Sequence, residues 1–190
     1  MKDAIFMGMT FQNFSDLLTV GVLALLTINV LFLVLYFTNN KFLHNLLKKV
    51  SYNQYMIALS VVLLGGVVGA NMYEQIYGDL PCVLCWYQRV LIYPMLIIAV
   101  TEIFNKTRQA HIFITILGMF TLFISSYHYY YHFMKYVMGA TLTIPCSASS
   151  LLPKCAEAGV VSFGFATMPM MSVIISIFVP VLKKKGITIL

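Results

Sequence analysis

An all-α integral membrane protein is the fold class this sequence predicts, and three observations carry the prediction. Of 190 residues, 61% are hydrophobic and only 9% charged, against about 25% charged in an ordinary soluble domain. Mean hydropathy is +0.89. The apolar residues gather into five runs, each near the roughly 20 residues that a helix needs to cross the hydrocarbon core. A soluble globule of this composition would lack the charge to cover its surface. Disorder and nucleic-acid binding are excluded on the same ground, despite a net charge of +6.

The first run is Leu17–Phe37, and no charge falls between Leu17 and Asn40. Lys2 is offset by Asp3 and Asp16, the apolar stretch is longer than a signal-peptide core, and no small-x-small site follows before Lys41. It therefore reads as a retained helix, with Ser15 as its N-cap. The second run, Tyr52–Tyr73, contains Gly65, Gly66 and Gly69, which include a small-xxx-small spacing for close helix packing. The third, Cys82–Thr101, carries one charge, Arg89, and should begin at Pro81, since proline is favoured at the first helical position. The fourth extends from Ile112 to about Tyr130, with His128 close to its end. The fifth is Val160–Leu182. Pro94 and Pro169 sit where they would bend helices around a pocket, although prolines are common in membrane helices. Twelve methionines read as bundle filler. No internal repeat, low-complexity tract or long linker interrupts the runs.

Basic residues orient the chain. Lys41, Lys48, Lys49, Lys106, Arg108, Lys183, Lys184 and Lys185 all fall in loops on one side, whereas Lys2, Lys135 and Lys154 fall on the other. The positive-inside rule places the first group in the cytoplasm, the N-terminus outside and the C-terminus inside. All four cysteines then lie at the outer face, in two close pairs. The outer face of a bacterial plasma membrane is oxidising, so disulfides persist there.

The first pair stands in Leu80-Pro-Cys82-Val-Leu-Cys85-Trp-Tyr-Gln-Arg89. Both sulfurs would occupy the first turns of a helix, where free N–H groups and the positive dipole end favour a thiolate. Spacing of three and four residues puts Cys82, Cys85 and Arg89 on one face. Helical side chains lean toward the N-terminus, so the guanidinium would reach back toward Cys85 and the lipid–water boundary. There it would favour a reactive thiolate and polarise an electron acceptor dissolved in the membrane. The bland alternative makes Arg89 an interfacial anchor, with Trp86 and Tyr87 as aromatic belt. The second pair, Cys146-Ser-Ala-Ser-Ser-Leu-Leu-Pro-Lys-Cys155, lies in an exposed loop beside Pro145 and Pro153. It suits thiol–disulfide exchange with a soluble partner. A structural disulfide is its competing reading, of about 3 kcal/mol for so short a loop. A four-cysteine zinc site would need four reduced thiolates in an oxidising compartment, so no metal is assigned.

The stretch from Pro81 to Arg89 resembles the signature of the DsbB family, the bacterial membrane thiol:quinone oxidoreductases. Cys155-Ala-Glu-Ala-Gly-Val-Val-Ser-Phe163-Gly164, followed by Met168-Pro169, is similar to the family's cysteine-to-last-helix segment. The resemblance covers about residues 52–182. It implies a four-helix transmembrane bundle with two redox pairs, to which Leu17–Phe37 is one extra N-terminal transmembrane helix. Residues 1–50 would then hold that helix and a basic cytoplasmic loop, and residues 51–190 the redox domain. It also implies that Cys146 exchanges with a periplasmic thioredoxin-fold DsbA-like oxidase, with Cys155 as pair mate. Electrons would pass to Cys82–Cys85, and on to ubiquinone or menaquinone from the membrane pool. This is the relay already known to keep the bacterial periplasm oxidising. Cys85 would be the sulfur nearest the quinone, Arg89 matches the family's quinone-site arginine, and His128 corresponds more loosely to a family histidine there. By itself a histidine among Tyr127, Tyr129, Tyr130 and Tyr131 is more often interfacial. The location implied is the bacterial inner membrane, multi-pass.

The short Cys146–Cys155 spacing departs from the longer family members, whose horizontal membrane-lying helix would be reduced or missing here. Two other functions compete. A vitamin-K-epoxide-reductase-like protein also pairs four cysteines across a helical bundle, but with its membrane-edge C-x-x-C on a late helix, whereas here it opens the third run. A non-catalytic membrane subunit would hold two structural disulfides and be redox-inert.

Overall fold

The computed structural model describes residues 10–37, 51–76, 78, 80–105, 109–140 and 161–181. Five helices account for nearly all of them: α1 Phe11–Phe37, α2 Tyr52–Gln75, α3 Val83–Asn105, α4 Ala110–Tyr136 and α5 Met168–Val181. The first four are long and apolar enough to cross a membrane. At 1.5 Å per residue, α1 and α4, of 27 residues each, reach about 40 Å. α5 packs against α4, α1 and α2, while α3 lies between α2 and α4. The result is an all-α membrane bundle of α2 to α5 with α1 added against α5.

Burial is inverted relative to a soluble bundle. Phe123 and Val61 face outward, while Ser15, Thr19, Thr121 and His128 are buried. In lipid, apolar side chains lose nothing by facing out, and polar groups must find partners inside. Met56, Leu59 and Leu63 of α2 meet Ile92, Met95 and Ala99 of α3, Ile114 of α4 and Ile175 of α5 in the main core. A smaller cluster at the other end of α2 joins Phe11 and Phe14 of α1 to Tyr73, with edge-on ring contacts of 5.7 and 5.3 Å.

Three boundaries away from the cysteines differ from the sequence-based expectations. Ser15 is not an N-cap. α1 starts four residues earlier, Thr10 Oγ1 accepts from the Asn13 N–H at 3.3 Å, and the buried Ser15 hydroxyl donates to the Phe11 carbonyl at 2.8 Å. The aromatic cluster on Tyr73 draws this polar turn into the helix. α4 continues to Tyr136, beyond the expected end near Tyr130, because one face of its polar aromatic segment is buried. Within the fifth run, residues 161–167 are not helical: a tight turn precedes α5, with Ser162 and Ala166 paired through bonds of 2.8 and 2.9 Å. Phe163 and Gly164 take φ of 53° and 80° there, and glycine is the residue that adopts such angles without strain. α5 as described has 14 residues, short of a full span.

Candidate redox site

The site assembles where α3 begins. Helix α3 starts at Val83 rather than Pro81, which leaves Cys82 in the capping position: the Trp86 N–H donates to the Cys82 carbonyl at 3.1 Å. The Cys85 N–H points at Cys82 Sγ at 3.4 Å, so the sulfur fills the role that a serine or aspartate oxygen fills at other helix starts. Cys82 Sγ and Cys85 Sγ are 3.1 Å apart, and both cysteines are free thiols here.

His128 approaches from α4, with Nε2 at 3.7 Å from Cys82 Sγ. Its Nδ1 lies 3.2 Å from Gln88 Nε2. With the Gln88 amide donating to Nδ1, the ring proton resides on Nε2 and faces the sulfur. His132, one turn further along, lies edge-on to His128 with centroids 4.6 Å apart.

Cys82 is just ahead of the α3 span, and its thiol is pulled down from the ordinary 9.0 to about 4. The hydrogen bond from the Cys85 thiol is the main cause, helped by the hydrogen bond from His128 and by the Cys85 N–H, while burial opposes them. A depressed pKa of this kind stabilises the reduced fold fully only above the unfolded value, and that contribution is lost as pH falls through the folded one. Alkylation of Cys82 in the reduced protein should therefore stay level from about pH 8 to about pH 5 and drop only near pH 4. A rate falling tenfold per unit from about pH 8 would show an ordinary thiol. Mass spectrometry of iodoacetamide-treated protein across that range reads the difference.

Arg89 is buried, and its guanidinium pairs with Glu74 of α2 and donates to the Ala70 carbonyl at 3.0 Å. Its Cζ is also 5.3 Å from the Trp86 ring centroid. Of the predicted site residues, Cys82, Cys85, Arg89 and His128 come together around one cavity of about 560 Å³. Cys146 and Cys155 lie outside the described residues. Gln88 and His132 also line its polar end, and Glu74 stands behind it paired with Arg89; the sequence motifs point to none of the three. The spacing of His132 from His128 signals one helical face, but only if the helix is carried past Tyr130.

Away from the polar residues the cavity is walled by apolar side chains and glycines from α1, α2 and α5, among them Leu25, Val62, Gly65 and Ile175. Ligand atoms of Cys82, Cys85 and His128 all lie within 4.8 Å of one another, a donor set able to hold a soft metal ion such as zinc. The thiolate–thiol–imidazole arrangement equally suits thiol–disulfide chemistry.

A dithiol at a helix start, buried in a polyhelical membrane bundle beside an apolar cavity, defines a membrane thiol-redox protein. The family model "Disulfide bond formation protein DsbB" matches residues 52–183, and the chain belongs to that family, whose members are membrane oxidoreductases of disulfide formation. It is 31% identical over 107 residues to the SPbeta prophage-derived disulfide bond formation protein B of Bacillus subtilis (strain 168), covering 56% of this chain and 68% of that one. It is 31% identical over 125 residues to disulfide bond formation protein C of the same organism, covering 66% and 86%. A probable disulfide formation protein of Oceanobacillus iheyensis is 33% identical over 113 residues, covering 56% and 70%. No solved structure matches the chain.

Proposed function

We propose that this protein reoxidises a DsbA-like thioredoxin-fold partner at the outer face of the bacterial plasma membrane and passes the electrons to a membrane quinone. The observation that carries the reading is the Cys82–Cys85 dithiol at the polar end of a cavity whose body is apolar. A quinone fits that shape, with carbonyl oxygens for Arg89 and the histidines and an apolar remainder for the lipid-side walls. When bound it accepts two electrons and two protons and leaves as the quinol.

The chain's own residues do the rest. A thiolate of the reduced partner attacks Cys146 of the Cys146–Cys155 disulfide, Cys155 leaves as the thiolate, and the partner's second thiolate resolves the mixed disulfide, which leaves the partner oxidised and Cys146–Cys155 as a dithiol. The Cys146–Cys155 dithiol then reduces the Cys82–Cys85 disulfide by dithiol–disulfide exchange, which restores its own disulfide and leaves Cys82–Cys85 as the dithiol. Cys82 is held as the thiolate by Cys85 and His128, and Gln88 fixes the ring that faces it. Arg89 offers positive charge to a carbonyl at the cavity's polar end, with Glu74 holding the guanidinium in place. Residues 1–50 make an N-terminus-out helix and a basic cytoplasmic loop, and residues 51–190 the redox domain.

The test is anaerobic. Reduced partner is added from outside to sealed right-side-out vesicles bearing the protein and either ubiquinone or menaquinone, and partner thiols are counted. Loss of two thiols per quinol formed is expected, together with a partner–Cys146 mixed disulfide that accumulates in Cys155→Ser. No thiol loss with either quinone would leave a non-catalytic subunit, and a partner trapped on Cys82 would reverse the order of the pairs.

A further inference from the structure

The cavity is larger than a redox head needs. A single-ring molecule such as benzene is accommodated in about 150 Å³, and this cavity measures about 560 Å³. Its lining runs from Cys82 and Arg89 at one end to apolar residues and glycines of α1 and α2, which border a slot between those two helices. Leu18, Gly21, Val22 and Leu25 line it from α1, and Val62 and Gly65 from α2.

The glycines divide into two kinds. A Cβ on Gly69 would meet Leu18 Cδ1 at 3.2 Å, and one on Gly66 would meet Ile175 Cδ1 at 3.0 Å, so these two serve close helix approach. A Cβ on Gly21 or Gly65 would meet nothing within 4 Å. Those two therefore border open space. α1 touches α2 through Leu18 on Gly69 and through Phe11 and Phe14 on Tyr73, and α5 holds it from the other side. The family match begins at residue 52, so the α1 wall lies outside it.

We infer that α1 forms one wall of a tail-binding slot, which takes the polyisoprenoid chain of the electron acceptor and makes affinity depend on the tail. The inference rests on the quinone reading above and adds to it a segment and a selectivity. The slot is continuous with the dithiol end, apolar along both walls, and open at the two glycines. A linear chain attached to a head at Cys82–Arg89 has this path available to it.

The protein carries one tryptophan, Trp86, which is beside Arg89, so a bound quinone reports itself by quenching its fluorescence. Full-length protein in nanodiscs is titrated with menaquinone and with menadione, which shares the ring but has no tail. Wild type should bind menaquinone more tightly. Gly21→Leu, which fills the slot from α1, should weaken menaquinone about tenfold, within the range for altered packing in an apolar pocket, and leave menadione unchanged. Gly65→Leu fills it from the opposite wall and should reproduce the split, which guards against a folding defect in either variant. Val20→Leu, on the exposed side of α1, is the control and should change neither.

Equal weakening of both quinones, or of neither, in the two filled variants overturns the slot while leaving wild-type quinone binding intact. A slot occupied by lipid acyl chains gives the second of these results. Absence of quenching by both quinones in wild type removes the quinone reading itself, and the inference with it.

Discussion

Cys82→Ser and Cys85→Ser should each lower quinone-dependent oxidation of partner thiols by more than about a thousandfold, and the double variant should be no worse than either single one. A disulfide needs both sulfurs, so the pair acts as a unit. The two substitutions at Cys82 separate chemistry from structure. Serine keeps an acceptor for the Cys85 N–H and is among the preferred capping residues, so Cys82→Ser should fold as well as wild type. Cys82→Ala loses the cap and should cost about 1 kcal/mol of stability, seen as a lower Tm. Thiol counts at matched amounts of folded protein check the first result and thermal melts the second. Turnover retained in Cys82→Ser would take this dithiol out of the reaction path.

The ion pair between Arg89 and Glu74 should produce the next largest effects. Removing one member of a buried pair leaves an uncompensated charge, typically a loss of 3–5 kcal/mol. Glu74 keeps 21% of its side chain exposed, so Glu74→Ala should fall at the low end, about 3 kcal/mol. Arg89→Ala should be destabilising and also raise the KM for quinone. Replacing both, Arg89→Met with Glu74→Leu, should recover stability because no charge is left buried, yet leave the KM high. That double variant separates anchoring from acceptor binding. Arg89→Lys keeps the charge but loses the planar fork that bonds Glu74 and Ala70 together, so its KM should be intermediate. An arginine acting only as an interfacial anchor predicts full function in Arg89→Lys and an unchanged KM in Arg89→Ala.

The membrane class and the runs that became α1 to α4 were legible because lipid exposure imposes an apolar composition over a fixed length. The C-x-x-C at the start of α3 was legible because helix geometry alone places Cys82, Cys85 and Arg89 together. What the sequence hid depends on contacts between elements. Glu74 reads as one more acid near the outer face until α2 packs beside α3. Gln88 lies inside the quoted motif, but its role appears only when His128 arrives from a helix 40 residues away. His132 is hidden because a segment of tyrosines and histidines looks like an interface, whereas α4 buries one side of it. Ser15 followed a capping pattern that the Tyr73 cluster overrode. The turn before α5 is composed of small and apolar residues that hydropathy cannot distinguish from a helix, and the angles at Phe163 and Gly164 are invisible to it.

Placing a sulfur at the cap of α3 has a thermodynamic consequence for electron transfer. As a thiolate, Cys82 accepts from the Cys85 thiol and N–H and faces the helix's positive end and His128. Once it is bonded to Cys85, that negative charge is gone, and with it much of what the surrounding donors contribute. The reduced form is therefore the one the fold favours, which raises the reduction potential of the couple and makes the oxidised pair a strong acceptor. In the proposed relay, the start of one helix would thus make electrons run downhill toward Cys82–Cys85, away from any dithiol whose own thiolate is less well held.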